Sequence, residues 1–332
     1  MAAEGARGDD DDDDGLVLVT GAGGLVGSAI RWLVTNRADE VGERPHRWLF
    51  CSSADADLTD YESTRRLFER HRPVYVIHLA AMVGGLFRNM RDQLGFCRQN
   101  LAINENVLRC ADEFNVQKLV SCLSTCIFPD KTAYPIDESM IHNGPPHDSN
   151  YGYAYAKRML EVLSRAYSEQ RGRRFVCVVP CNVFGPDDNF SLEDGHVLAA
   201  LMRKSLEARR DGRPLVVGGS GGPLRQFIYS RDLARLFVWT LRHYAETTPL
   251  ILSVDPTAEV SIGAAAELIA RTAGLPQDAL EYDRSQADGQ YKKTASNAKL
   301  RALLPHFRFT PFAQAVRETY EWLVANYDTA RK

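Results

Sequence analysis

Tyr153 and Lys157 stand four residues apart in the run Tyr153-Ala154-Tyr155-Ala156-Lys157, so a helix would carry both on one face. That pairing suits the reduction of a ketone. A phenol donates a proton to the developing alkoxide, and a neighbouring ammonium lowers the phenol's pKa toward working pH. A hydroxyl from another segment must hold the carbonyl oxygen, and Ser124, just past the apolar run 118–123, is placed for that. Tyr-x-x-x-Lys alone is a weak signal, because Tyr151 and Tyr155 crowd the same stretch. Its weight comes from the segments around it.

Leu16-Val17-Leu18-Val19 reads as a strand and 28–34 as an apolar helix, with Gly21, Gly24, Leu25, Val26 and Gly27 between them. Strand, glycine turn and helix are the parts of a dinucleotide site. The first glycine permits the tight turn, the second lets the backbone approach a pyrophosphate, the third packs helix on strand, and the helix N-terminus offers free N–H groups. The second strand ends in Cys51-Ser52-Ser53-Ala54, with no carboxylate at the position that would hold a free ribose 2′-hydroxyl. NADP(H) is therefore expected, with Ser52 and Ser53 as donors to its 2′-phosphate. Asp57 and Leu58 are spaced to meet the adenine, or equally to cap the helix that starts at Tyr61.

These residues need a scaffold. Short apolar runs at 16–19, 48–51, 74–79, 118–123 and 175–179 alternate with helical stretches, including 101–114 and 153–170. Nearly continuous apolar strands of this kind are buried on both faces of a parallel sheet. The expected class is α/β: a Rossmann-type doubly wound parallel sheet with a smaller, discontinuous C-terminal substrate domain. After Pro180 the rhythm breaks, and 227–229 and 251–254 are read as a return to the sheet. The expected division is an acidic tail at 1–14, an NADP-binding domain of 15–180 plus 226–260, and a substrate domain of 181–225 plus 261–332.

The unbroken acidic run Asp9–Asp14 has nothing to bury and reads as a disordered, solvated tail; outside it, 40 Lys and Arg slightly exceed the remaining acids. No dense basic surface points to nucleic acid, and no apolar run is long enough for a membrane span. Seven cysteines form an odd number without a CxxC pair, which favours reduced thiols, a cytoplasmic setting and no metal.

The glycine turn, Ser124 and the Tyr153/Lys157 pair together resemble the extended short-chain dehydrogenase/reductase family. Further stretches are similar to its epimerase–reductases of GDP-sugars: 78–86, Ser121-Cys-Leu-Ser-Thr-Cys-Ile-Phe-Pro129, 182–190, Gly195-His196-Val197, 225–228 and 288–294. The likeness covers roughly residues 16–330. It implies 3,5-epimerisation and NADPH-dependent 4-reduction of GDP-4-keto-6-deoxy-D-mannose, giving GDP-L-fucose. Cys126 would be the base and His196 the acid at C3 and C5, and Tyr153 would protonate the C4 oxygen. Thiol and imidazole suit that task because both titrate near neutrality. On residue type alone, Cys126 reads as a buried structural thiol and His196 as the start of a helix. The resemblance adds Leu79, Ala80, Ala81, Lys157, Pro180, Asn182, Val183 and His196 to the cofactor side. It assigns Met82, Val83, Asn182, Lys204, Arg225 and Asp288 to the GDP-sugar. It also implies a homodimer built on helices near 94–114 and 153–170.

The sequence departs from that pattern in places. Gly218 stands where some relatives have Trp, and Gly23 and Ser53-Ala54 where some have Arg. A 4-epimerase or dehydratase with tightly held NAD would not need both Cys126 and His196. A non-catalytic NADP-binding protein would be expected to have lost Ser124, Tyr153 or Lys157. His142 and His147, in a Pro-rich loop, are expected to face solvent.

Overall fold

A computed structural model of the chain describes residues 15–41, 47–276, 278–286 and 288–332; the acidic run lies outside them. The first half alternates as expected. Strand β1 (Leu16–Thr20) leads through the glycine turn into α1 (Leu25–Asn36) and the short α2 (Ala38–Val41). Then come β2 (Arg47–Cys51), α3 (Tyr61–His71), β3 (Tyr75–His78), α4 (Leu86–Arg91), α5 (Gln93–Glu113) and β4 (Lys118–Cys122). Helix α6 (Tyr151–Arg171) and β5 (Arg174–Pro180) follow. Helix α5 starts eight residues ahead of the apolar pattern at 101, because the Asp92 carboxylate accepts from Gly95 N and caps the new first turn.

The second half is more broken: β6 (Asn182–Phe184), α7 (Val197–Asp211), β7 (Leu215–Gly218), β8 (Leu224–Arg225), β9 (Phe227–Tyr229), α8 (Ser230–His243) and β10 (Leu250–Leu252). The chain ends with β11 (Val260–Ser261), α9 (Ile262–Ala273), β12 (Leu280–Asp283), α10 (Ala298–Leu303) and α11 (Phe312–Ala325).

Six parallel strands form the central sheet in the order β10-β5-β4-β3-β1-β2. The order reverses at β1, between β2 and β3. In open α/β sheets the crevice beyond the strand C-termini at such a reversal is where ligands sit. Phe227–Tyr229 does not rejoin this sheet. It pairs in parallel with β6 instead, since β10 already occupies the edge beside β5.

One apolar core lies between the sheet and α1/α8, with Val19, Ile30, Ile77, Val178 and Phe237 at its centre. A second, on the opposite face, packs Leu18, Phe68, Val107, Leu119, Leu160 and Phe175 under α3, α5 and α6. A third joins Met202 of α7, Ile269 of α9 and Val316 of α11. Strand β9 straddles the boundary: Ile228 faces the first core, while Phe227 and Tyr229 face the third. The C-terminal ends of β1, β3, β4 and β5 lie side by side in the sheet, and the crevice beyond them is the cleft that such a sheet offers a ligand.

Candidate active site

The glycine turn has the geometry of a phosphate cradle. Gly21 has φ +67°, and a Cβ there would come within 2.6 Å of Ala80 N; a Cβ at Gly27 would meet Ala22 Cα at 2.5 Å. Gly24 is the N-cap of α1 and supplies no side-chain acceptor, so the first-turn N–H groups remain available to an anion. These features fit a dinucleotide's pyrophosphate.

A buried polar chain ties this turn to the rest of the cleft. Thr20 Oγ1 accepts from Leu79 N and Ala80 N, both at 3.3 Å, and donates to His78 Nδ1 at 2.8 Å. Burial, with the Lys157 charge nearby, pushes the His78 pKa down to about 3. The imidazole is therefore neutral, and its Nε2–H reaches Asn104 Oδ1 at 3.3 Å. Asn104 Nδ2 in turn donates to Ala156 O in α6, one residue before Lys157. One turn earlier on α5, Asn100 holds both Met82 N (3.0 Å) and Met82 O (3.1 Å). His78, Asn100 and Asn104 were not singled out from the sequence. The available signal is two asparagines four apart among the mainly apolar positions that an amphipathic helix buries.

At the far end of the turn the sequence reading needs correction. A carboxylate does stand beside the end of β2: Asp55 Oδ2 accepts from Ser52 N at 2.8 Å and from Ser52 Oγ at 2.7 Å. The chain folds back after Ser53, so the acid arrives three residues later than a straight strand would place it. Asp57 does not cap the following helix. It accepts from Thr59 N and Oγ1, and Asp60 is the cap.

Ser124, Cys126, Tyr153 and Lys157 come together on the floor of the cleft. Ser124 caps the turn Thr125–Ile127, its Oγ accepting from Cys126 N at 3.4 Å. Arg158 Nε pins the same turn by donating to Ile127 O at 2.5 Å. Lys157 is 2% exposed; its Nζ donates to Cys122 O at 2.8 Å and lies 5.8 Å from the centre of the Tyr153 ring. Phe96 packs edge-on against that ring. Burial raises the Tyr153 pKa well above its ordinary value, and the fields of Cys126 and Cys122 act the same way. This differs from the lowering expected from Lys157, whose ammonium is turned to a backbone carbonyl. A phenol that keeps its proton is nonetheless the form a proton donor needs.

Cys126 is 7% exposed. Burial pushes its thiol up, opposed first by the Lys293 ammonium, then by the Ser124 hydroxyl and Lys157. Lys293 is half-buried, and burial lowers its own pKa, with Cys126 the strongest opposing influence. No local spacing in the 288–294 stretch marks Lys293. It reaches Cys126 through a strap across the cleft: Ile136 N donates to Thr294 O (2.8 Å), Ser296 N to Ile136 O (2.7 Å) and Tyr134 Oη to Lys292 O (2.7 Å). Gln226, 1% exposed, fastens the strap by exchanging hydrogen bonds with Ala295 and donating to Val254 O. Asn182 Nδ2 donates to Gln226 O at 2.9 Å, bringing the segment after Pro180 to the same hub.

The remaining candidates His196, Lys204, Arg225 and Asp288 come from segments after β6. His196 is the N-cap of α7 and is exposed, and desolvation by the surrounding protein pushes its pKa below the ordinary value. The loop before it lies against Gly85, where a Cβ would sit 3.5 Å from Gly195 O, just past Met82 and Val83. Among the described residues no hydrogen bond joins His196 to the floor group. Lys204 Nζ comes only to 3.5 Å from Val216 O. Arg225 donates to Gln290 O at 2.6 Å and Leu224 O at 2.7 Å. Asp288 accepts from Ser220 N (2.6 Å) and Ser220 Oγ (2.8 Å), bracing the turn 218–221. At Gly218 an added Cβ would meet only the amide end of the exposed Gln286 side chain. His142 Nε2 lies 2.7 Å from Glu161 Oε2, and His147 Nδ1 accepts from Ser149 N. His142 is exposed, as expected, while His147 is half-buried. Among the described residues the cysteines are all free, no cluster could hold a metal ion, and no helix is long and apolar enough to cross a membrane.

A glycine cradle at the sheet reversal, above a Ser/Tyr/Lys floor, defines a nicotinamide-dependent reductase or epimerase. The model of the NAD dependent epimerase/dehydratase family matches residues 17–254, and the chain belongs to that family. Among its relatives, the GDP-L-fucose synthase of Dictyostelium discoideum is 55% identical over 95% of this chain and 97% of that protein. A probable GDP-L-fucose synthase of Drosophila melanogaster is 50% identical over 95% and 99%. A crystal structure of a GDP-L-fucose synthetase from Naegleria fowleri bound to NADP superposes with a TM-score of 0.89 at 46% identity, covering 96% of this chain and 97% of that one.

Proposed function

We propose that this chain converts GDP-4-keto-6-deoxy-D-mannose into GDP-L-fucose, inverting C3 and C5 and then reducing the C4 ketone, with NADP(H) as cofactor. The observation that carries the reading is a buried thiol, opposed by a lysine, on the same floor as a reductase Ser/Tyr/Lys set. A plain ketone reductase needs only the latter. The similarity to two GDP-L-fucose synthases over almost the whole chain supports the substrate class.

In this reading Cys126, as thiolate, takes the acidic α-proton from C3 and then from C5, and His196 returns a proton to the opposite face at each carbon. Ser124 Oγ holds the C4 oxygen throughout, stabilising the enolate and later the alkoxide. Gly21, Gly24, Leu25, Val26 and Gly27 would hold the dinucleotide, which would supply the hydride for C4. Tyr153 delivers its phenolic proton to the C4 oxygen, and Lys157 orients it from one helical turn away. Residues 15–180 plus 226–260 serve the cofactor, and 181–225 plus 261–332 the GDP-sugar. Lys204 and Arg225 meet the diphosphate, as a point charge and a guanidinium fork respectively. The protein works as a cytoplasmic homodimer. Leu94 (68% exposed), Tyr151, Tyr155 and Met159 form an apolar patch along α5 and α6 that a second copy would cover.

The test is Cys126→Ser, incubated with the keto sugar in D2O without cofactor and followed by NMR. Exchange at C3 and C5 is expected to stop while GDP-sugar binding persists. Exchange at the wild-type rate in that variant removes Cys126 from the reaction.

A further inference from the structure

The end of β2 is hydrogen-bonded into the glycine turn: Thr20 pairs with Cys51 in the sheet, and Ala22 N donates to Cys51 O at 3.0 Å. A dinucleotide whose pyrophosphate lies on the α1 N-terminus therefore sets its adenosine ribose over residues 51–55. The nearest fixed charge there is negative. The Asp55 carboxylate holds Ser52 N and Ser52 Oγ, so the serine hydroxyl is already engaged by an acid. A carboxylate at this place accepts a free 2′-hydroxyl and repels a 2′-phosphate. Left alone, it would steer the site toward NAD(H).

The opposing charge comes from α1. Arg31, in the second turn of the helix, lays its guanidinium 4.5 Å from the centre of the Phe50 ring, the residue before the last of β2. Stacking on that ring fixes the long side chain at the strand's end with its N–H groups free to turn outward. Arg31 is exposed and forms no ion pair within 4.0 Å with any described residue. It is also the cation whose field acts on Asp55.

Building on the NADP(H) reading above, we infer that Arg31 is the residue that selects the 2′-phosphorylated cofactor. Its guanidinium forks onto the 2′-phosphate and offsets Asp55, with Ser53 Oγ as an additional donor. A guanidinium and a phosphate match bidentately, which a lone serine hydroxyl cannot replace.

The experiment is calorimetric titration of the purified full chain with adenosine 2′,5′-bisphosphate and, separately, with 5′-AMP, neither of which requires turnover. Arg31→Met, a good helix former at an exposed position, is expected to weaken the bisphosphate about tenfold and leave AMP within about twofold. Asp55→Asn keeps an acceptor for Ser52 and is expected to tighten the bisphosphate about threefold with AMP unchanged. Equal weakening of both ligands by Arg31→Met would mean that Arg31 serves the adenine, and no weakening of either would mean that it serves nothing; each overturns the inference. Wild-type protein that binds the two ligands equally overturns the NADP(H) preference itself, a different failure from a silent Arg31 variant.

Discussion

The floor and the roof of the cleft are built in opposite ways. The floor residues Ser124, Cys126, Tyr153 and Lys157 fall between β4 and α6 and are half-buried or buried, with Cys126 N donating to Ser124 Oγ and Lys157 Nζ to Cys122 O of β4. The roof gathers His196, Lys204, Arg225, Asp288 and Lys293 from segments far apart in the chain, and its polar groups are half-buried or exposed. Dry groups act on the barrier through fixed electrostatics; wetter groups act on binding and on proton supply. Floor substitutions should therefore change kcat, and roof substitutions KM or the pH profile.

The largest effect is expected from Tyr153→Phe. Losing the proton donor should cost about 10²–10⁴-fold in kcat for reduction, measured by NADPH oxidation, while C3 and C5 exchange continues. A variant that still reduces at the wild-type rate would mean that the floor is not where reduction happens.

The pH profile of exchange sharpens the comparison next. His196 lies below its ordinary 6.5 and Cys126 above its ordinary 9.0, so kcat/KM should be bell-shaped, with an acid limb below the first value and an alkaline limb above the second. His196→Asn should erase the alkaline limb, because the donor that must stay protonated is gone and the rate then rises to a plateau as Cys126 ionises. Lys293→Met should move the alkaline limb further up, because the strongest influence pulling the thiol down is gone. An unmoved limb would reduce the strap to scaffolding.

Asp288→Ala should release the turn 218–221 and raise KM for the GDP-sugar by about threefold to tenfold at constant kcat. A matching fall in kcat would erase the distinction between floor and roof.

The smallest effect concerns the loop that leads to His196. Asp188 is 3% exposed, its Oδ2 has no hydrogen-bond partner among the described residues, and burial raises its pKa to about 7. A carboxyl whose folded pKa is raised binds protons more tightly in the folded state. Its contribution is full below the unfolded value of about 4 and is lost as pH rises through about 7. Asp188→Asn should therefore raise Tm by a few degrees at pH 8 and by less at pH 5. An equal shift at both pH values would show that the carboxyl does not titrate in this range.

What could be read from the sequence follows the same divide. Gly21, Gly24 and Gly27, or Tyr153 and Lys157, depend on spacings of three or four residues, which helix and turn geometry convert directly into position. Lys293 acts on Cys126 from 167 positions away, and Gln226 on Ala295 from 69, through a strap that no local pattern announces. Asp55 escaped a search of the residues directly after β2 because the chain doubles back to Ser52. The short run Phe227–Tyr229 was assigned to the wrong sheet, because three apolar residues specify a strand but not its neighbour.

The central claim is that one cleft performs both inversion and reduction. Wild-type protein, NADPH and GDP-4-keto-6-deoxy-D-mannose, combined in D2O and followed by nicotinamide absorbance and product NMR, test it most directly. The account predicts one NADPH oxidised per product, the 6-deoxy-L-galacto configuration, and deuterium at C3 and C5 but not C4. Reduction without deuterium at C3 and C5, or turnover without net NADPH oxidation, would contradict it.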